Sequence, residues 1–87
     1  MEIKKIKKAD IEKAFKKVFD CDIEITNDEF RGDRWIEIEF ESNNICSFML
    51  SSLVEISSIL SIDLSLFEVV GIECLQACFW IRDCEVI

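Results

Sequence analysis

Three glutamates that alternate along one short segment are the residues best placed to do chemistry. Glu37, Glu39 and Glu41 are interleaved with large apolar residues, which is the period-two pattern of a half-buried strand. Side chains in this pattern leave the same face of a strand, roughly 6.6–6.8 Å apart. Trp35 shares their parity, and an alternating segment upstream is expected to pair alongside. We therefore expect a binding surface made of Trp35, Glu37, Glu39, Glu41, Asp22 and Glu24.

This row of carboxylates has two interpretations. Like charges that face one another across a sheet are destabilising, so a fold tolerates them when the face is wet or when a cationic partner covers it. The row is therefore either a solvated sheet face or a docking face for a basic protein groove. An exposed Trp beside carboxylates is typical of a binding hot spot, although Trp35 could equally wrap an edge of the core.

The residue types that the chain lacks exclude the common catalytic mechanisms. There is no His and no Tyr, which removes the usual general base near neutral pH and makes Ser–His and Cys–His pairs impossible. A nucleophilic Cys needs a cationic neighbour or a helix N-terminus to lower its pKa. Cys46, near the start of a predicted helix, is the one candidate, but it falls on the apolar stripe of that helix. We expect no catalytic residues and no enzymatic activity.

Metal and cofactor motifs are also missing from the sequence. Cys74 and Cys78 have the spacing of half a zinc site, but no second pair follows and no His completes the set. We expect both to alternate into the sheet core as buried thiols. The acidic segment around Gly32 does not match a calcium-binding loop, and two glycines cannot build a phosphate-cradling loop. The sequence predicts no metal and no cofactor.

Charge is distributed unevenly along the chain. The net charge is −8, yet the first 20 residues carry seven Lys against four acidic residues. The rest of the chain carries three Arg against 14 acidic residues. Most of the molecule should therefore repel nucleic acid and anionic lipid and attract a basic surface. We expect a protein partner with a basic surface, no direct nucleic-acid binding and no membrane association.

Cysteine usage and the lack of a targeting segment predict a compartment. The five cysteines are an odd number, and no continuous apolar stretch follows the first Lys residues as it would in a secretion signal. The apolar runs are also too short for a membrane span. We therefore expect a cytoplasmic protein whose cysteines remain free thiols.

Periodicity in the first half of the chain predicts one helix and two strands. Apolar residues recur at helical spacing over residues 10–19, and the Asp that opens this segment is the predicted N-cap. Residues 2–8 either extend the helix or form a short edge strand. Alternation predicts strands near residues 21–25 and 35–41, joined by a ragged loop over residues 27–34.

A second helix is predicted over about residues 45–60. Asn43 and Asn44 break the preceding strand and can cap this helix. Its predicted apolar stripe is made of Cys46, Met49, Leu50, Leu53, Ile56 and Leu60. Its outer face is nearly uncharged and carries the small residues Ser47, Ser51 and Ser58. Close packing of that face against another surface is one interpretation, and shielding by the rest of the domain is the other.

The last third of the chain favours two more strands. Residues 67–74 and 77–81 are rich in Val, Ile, Phe and Trp, which prefer strands. A helix through Cys74, Cys78 and Ile81 is the alternative, because these residues also have helical spacing.

Together these elements predict one acidic α+β domain over residues 1–87. The expected architecture has two layers, with two helices on one face of a mostly antiparallel sheet of about four strands, in the order α-β-β-α-β-β. Because 51% of so short a chain is hydrophobic, some apolar surface should remain outside the core, which favours a homodimer.

Two function classes follow from these expectations. The first is a small acidic protein-binding module that inhibits a basic, nucleic-acid-handling protein. Small acidic anti-defence proteins of phages and mobile elements, which mimic the charge of DNA, have this general character by size and charge alone. The alternative is a self-associating structural or assembly subunit, which the apolar excess and the Ser-rich helix face support.

Overall fold

The protein folds into helices packed on a sheet. The structure is a computed structural model, and it describes residues 3–41, 50–73 and 76–87. In chain order the elements are β1 (Lys4–Ile6), α1 (Lys8–Phe19), β2 (Ile23–Phe30), β3 (Asp33–Glu41), α2 (Leu50–Leu60), a 3-10 turn (Leu64–Leu66), β4 (Phe67–Glu73), β5 (Gln76–Arg82) and β6 (Cys84–Val86). Within these ranges, no helix has the length and apolar character that crossing a membrane requires.

The strands form two sheets. Four of them make an antiparallel sheet in the order β2-β3-β5-β4, and β1 pairs with β6 in a small parallel sheet. The predicted α+β class with a mostly antiparallel sheet is confirmed. The predicted order α-β-β-α-β-β is incomplete, because β1 precedes α1 and β6 follows β5. Each of these strands has three residues, too few to show a period, and each needs a partner from the far end of the chain.

The β2–β3 hairpin is tighter than the sequence suggested. Its two turn residues, Arg31 and Gly32, both have positive φ, 52° and 86°. This is the conformation of a two-residue turn whose twist matches that of the strands, and Gly adopts it without steric cost. Phe30 therefore pairs directly with Asp33. The predicted ragged loop over residues 27–34 is wrong, since most of it is strand.

Helix α1 buries the face that periodicity predicted, with Ile11, Ala14, Phe15 and Phe19 inside the core. Its start differs from the prediction. The N-cap position belongs to Lys7, without a side-chain cap, so the expected N-cap Asp lies inside the first turn. There its carboxylate still faces the positive end of the helix dipole, which explains the capping signature in the sequence.

Both helices contribute to one core on a single face of the four-stranded sheet. Leu53, Ile56 and Leu60 of α2 join the buried face of α1 and the inward residues of β3 and β5, namely Ile36, Ile38, Phe40, Ala77, Phe79 and Ile81. The predicted stripe of the second helix is confirmed for these three α2 residues. The predicted positions 43–49, including the two Asn caps, Cys46, Ser47 and Met49, lie outside the described residues.

The C-terminal strands confirm the strand prediction and exclude the helical alternative for residues 76–82. In β5 the buried residues Ala77, Phe79 and Ile81 alternate with outward ones, which only an extended backbone produces. Strand β4 pairs with β5 through an irregularity between Val69 and Gly71, the signature of a β-bulge.

Strand β6 packs on the helix side of the β2–β3 hairpin. The Asn27 side chain, on the same face as Ile36, donates to the Val86 carbonyl at 3.0 Å and accepts from the Val86 N–H at 2.8 Å. The Asp83 N–H also donates to the Arg34 carbonyl at 2.8 Å. These bonds attach the small sheet to the β2–β3 hairpin.

Candidate functional site: the acidic face of the sheet

Strand β3 presents the predicted row on the side of the sheet opposite the helices. Glu37, Glu39 and Glu41 alternate with three residues that are at most 4% exposed. Glu39 and Glu41 are exposed, and Glu37 is half-buried. The parity predicted from the sequence is therefore confirmed.

Neighbouring strands extend this row into a surface. Residues directly opposite one another in a sheet share a face, which places Glu24 beside Glu39, Asp28 beside Trp35, and Glu68 beside Trp80. We call this surface the acidic face and define it by Glu24, Asp28, Trp35, Glu37, Glu39, Glu41, Glu68, Cys78 and Trp80. One cation, Arg82, lies opposite Trp35 at its margin.

Asp22 joins the acidic face at the end of the sheet. It precedes β2 and belongs to no strand, but it lines a depression of about 260 Å³ together with Glu24, Glu39 and Glu41. Trp35 lies at the other end of the β3 row. The structure thus brings all six predicted binding residues onto or next to one surface.

The carboxylates of this face have few cationic neighbours. Glu24 faces Glu39 directly across the β2–β3 pair, an arrangement that destabilises a sheet. Glu37 differs from the exposed glutamates of β3, since it is half-buried. Its Oε1 accepts a hydrogen bond from the Trp80 indole N–H at 3.1 Å. A cationic partner laid over this face would relieve the repulsion between the remaining carboxylates.

A stacked pair of indoles lies among the carboxylates. The Trp35 and Trp80 ring centroids are 4.8 Å apart with an interplanar angle of 30°. Both residues are half-buried, and the Trp35 Nε1 is buried without a hydrogen-bond partner among the described residues. Trp35 is thus less exposed than a free hot-spot residue. It packs against Trp80 on the outer face.

Trp80 is the residue that sequence reasoning missed. The signal was present, because Gln76, Cys78, Trp80 and Arg82 alternate with the buried residues of β5 and so must face outward. What the sequence did not show is that β5 lies next to β3. That pairing puts Trp80 directly opposite Glu37.

Cys78 also belongs to the acidic face, so the expectation that it points into the sheet core is wrong. Its neighbours in β5, Ala77 and Phe79, take the inward positions, and its Sγ lies 3.7 Å from Glu37 Oε1. Burial first, and then the negative charges of Glu37 and Glu39, raise the pKa of this thiol to about 11. The thiol therefore stays protonated near neutral pH, which argues against a nucleophilic role.

Glu37, Glu39 and Cys78 form the one cluster in the described part of the chain that could contact a cation together. Their donor atoms lie within 4.8 Å of one another. No fourth acidic, Cys or His donor of the described residues joins them, and the Cys ligand would have to lose its proton first. Cys74, its expected companion, lies outside the described residues, and Cys84 is buried in the core.

The reactivity of Cys78 gives a direct test of this geometry. We expect its alkylation rate to rise steadily with pH up to about 11, because only the thiolate reacts. Glu39→Gln removes one charge that raises the pKa of the Cys78 thiol, so alkylation of Cys78 at about pH 8.5 should accelerate. Glu55→Gln on α2 should leave that rate unchanged. Peptide mapping by mass spectrometry follows Cys78 alone. A rate that levels off below pH 9, or no response to Glu39→Gln, would contradict the placement.

The same pKa shift has a consequence for stability. The ordinary thiol value of 9.0 applies to the unfolded chain, and the folded value is about 11. The folded state therefore retains a proton that the unfolded state loses between these values. The contribution of Cys78 to stability is complete below pH 9 and declines as the pH rises to about 11.

The other candidate surfaces lie on the helical side. Lys4, Lys5, Lys7, Lys8, Lys13, Lys16 and Lys17 are all exposed on β1, α1 and the segment that joins them. On α2, Ser51 and Ser58 are exposed beside Val54 and Ile59, which are 46% and 41% exposed. The molecule therefore presents a basic helix and a weakly apolar helix on one side and the acidic face on the other.

Comparisons with known proteins find no matching family model, no matching curated protein and no matching solved structure.

Proposed function

We propose that this protein is a binding module that docks a basic surface of another protein on its acidic face. The observation that carries this proposal is a sheet face, opposite the helices, with six carboxylates around a half-buried, stacked Trp pair. Charge selects the partner and speeds its approach, while the indoles supply the apolar contact area that holds it.

A docking role accounts for a cost that a solvated face leaves unexplained. Glu24 and Glu39 repel one another directly, and the described residues of this face include a single cation, Arg82, at the margin. A wet face is more easily built from mixed charges or neutral polar residues. A cationic partner turns the repulsion into attraction, so the same residues that weaken the free sheet strengthen the complex.

The partner we propose is a protein that handles nucleic acid. Such proteins hold phosphates in basic grooves, and the acidic face offers a comparable concentration of negative charge. Occupation of the groove would exclude the nucleic acid, which makes this protein an inhibitor, in the manner of anti-defence proteins from phages and mobile elements. Direct binding of nucleic acid to the acidic face is disfavoured by the same charge.

Self-association is the second candidate function. It is favoured by the outer side of α2, where Val54 and Ile59 are exposed beside Ser51 and Ser58 and only Glu55 is charged. A homodimer through this helix would leave the acidic face free, so the two functions are compatible.

The test compares three immobilised baits exposed to lysate of the native cell. They are the unmodified protein, a face variant with Glu24, Glu39 and Glu41 changed to Gln, and a control with Asp10→Asn, Glu12→Gln and Glu55→Gln. Both variants remove three exposed carboxylates, so their net charges are equal. Glu37 is left intact because it holds the Trp80 indole.

We expect a basic protein that the unmodified and control baits retain and that the face variant binds at least about tenfold more weakly. Raising the salt from about 0.05 M to about 0.3 M should weaken the retained interaction, because exposed charges are then screened over a shorter distance. Nucleic acid added in excess should compete for the captured protein. If the face variant and the control retain the basic protein equally well, the acidic face is only a solvated surface and the proposal is contradicted.

A further inference from the structure

The four-stranded sheet has two edge strands of different composition. The order β2-β3-β5-β4 makes β2 and β4 the edge strands. β2 carries three acidic residues, Glu24, Asp28 and Glu29, and charged side chains protect an edge strand against pairing. For β4, no described strand pairs on the side away from β5. As far as the described residues go, the backbone groups on that side of β4 are therefore open to an added strand.

The sequence of β4 carries little of the usual edge protection. Natural edge strands are blocked by Lys, Pro or bulges. This strand has no Lys and no Pro, and its Val69 and Val70 are 43% and 46% exposed. The bulge between Val69 and Gly71 interrupts the edge, so uninterrupted pairing is limited to the short stretches on either side. Such an edge suits a short, flexible guest segment better than the long edge of a folded domain.

The two sides of β4 differ in chemistry. Glu68 pairs with Trp80 and so lies on the acidic face, while Val69 pairs with the buried Phe79 and lies on the core side. A strand added beside β4 would send alternate side chains to these two sides. One set would meet the carboxylates of the acidic face, and the other would cover Val69.

We propose that the free edge of β4 takes up an extended, basic segment of the partner as an additional strand. Its Lys or Arg side chains lie over the acidic face beside Glu68, and its intervening apolar side chains pack on Val69. This inference rests on the proposed function, because it states how the basic partner is held at that same surface. Main-chain hydrogen bonds would supply affinity, and the alternation of side chains would supply selectivity.

A second copy of this chain fits the edge less well. Pairing β4 with β4 would join two acidic faces into one continuous sheet and double the number of carboxylates on it. The repulsion across that joint opposes the pairing, whereas a basic segment neutralises the same charges. Charge therefore favours the basic segment as the occupant.

The probe that tests this inference is a peptide of about eight alternating Lys and Val residues, long enough for a strand. In an extended peptide the N–H groups of odd residues point to one edge and those of even residues to the other. Two peptides of identical charge, N-methylated at odd or at even positions, therefore each lose the hydrogen bonds of one edge. A peptide with all Lys in one block and all Val in another controls for composition.

Isothermal titration of the unmodified protein should show binding of the parent peptide. We expect one methylated peptide to bind at least tenfold more weakly, the other to match the parent, and the block peptide to bind weakly. Val69→Lys should also reduce affinity at least tenfold, while Val54→Lys on α2, with similar exposure and the same change of charge, should leave it unchanged. Amide hydrogen exchange should slow at β4 and not at β2.

The outcomes separate this inference from the proposed function. If the face variant loses the peptide but neither methylation matters and Val69→Lys behaves as Val54→Lys, basic docking stands and strand addition is overturned. If the parent peptide fails to bind even at low salt, or binds the face variant equally well, both proposals are contradicted. Slowed exchange along β4 without added peptide, together with a doubled mass in solution, would assign the edge to a second copy and overturn the inference.

Discussion

Replacement of Trp80 by alanine is expected to weaken binding of the basic partner by about thirtyfold or more. Central aromatic residues of an interface cost about 2 kcal/mol or more when truncated, and that energy corresponds to this factor. Trp80 is placed for such a role because it stacks on Trp35 at 4.8 Å and anchors the Glu37 carboxylate. The loss should be seen mainly as faster dissociation, because the charges that steer association remain.

Surface plasmon resonance with the captured partner measures this effect. The dissociation rate of Trp80→Phe should fall between those of the unmodified protein and Trp80→Ala, because Phe keeps an aromatic ring but loses the N–H donated to Glu37. Ile59→Ala, which truncates an exposed apolar residue on α2, is the matched control and should leave both rate constants unchanged. An unchanged dissociation rate for Trp80→Ala, with an intact circular dichroism spectrum, would remove the Trp pair from the interface.

Truncation of Phe15 is expected to cost more stability than a surface change of the same chemistry. Phe15 is fully buried, and its ring lies 5.7 Å from Phe40, 5.8 Å from Phe19 and 6.3 Å from Phe79. Phe→Ala at such a site removes about 3–5 kcal/mol by lost burial and by the cavity left behind. A domain of this length has roughly 4–13 kcal/mol in total, so the variant should lose a large share of its stability.

Urea unfolding gives the comparison. Phe30→Ala is the matched control, because Phe30 is 61% exposed at the hairpin tip and its loss should change the free energy of unfolding by less than about 0.5 kcal/mol. A difference of less than about 1 kcal/mol between the two variants would mean that α1 does not pack on the sheet as described.

Much of the local structure could be predicted because side-chain periodicity is a property of short segments. The alternation around Glu37 is sufficient to define both the strand and the face on which the glutamates lie. The helical spacing of Ile11, Ala14, Phe15 and Phe19 similarly defines the buried side of α1. For residues 2–8 the sequence left a helix extension and a short edge strand open, and the structure has the strand. Errors occurred where the pattern is too short or depends on backbone conformation, as in β6 and the turn at Arg31 and Gly32.

The candidate site could be predicted only in part, because its completion needs contacts between distant segments. Trp80 and Cys78 come close to Glu37 only through the pairing of β3 with β5. No local pattern encodes that pairing, since it depends on how the intervening helix α2 packs and returns the chain. The wrong core position predicted for Cys78 is instead an error of parity, because its alternation with Ala77 and Phe79 already places it on the outer face.

The amino-acid sequence by itself determined the class of fold, the excess of negative charge, the absence of the usual catalytic residues and the parity of the β3 carboxylates. Each of these depends on composition or on a period of two or 3.6 residues, which the backbone geometry translates directly into faces. Only the tertiary structure decided which strands are neighbours, and therefore that the carboxylates surround a Trp pair and that β4 is an edge strand. These features depend on long-range pairing and on packing of the helices against one face, and no stretch of sequence contains that information alone.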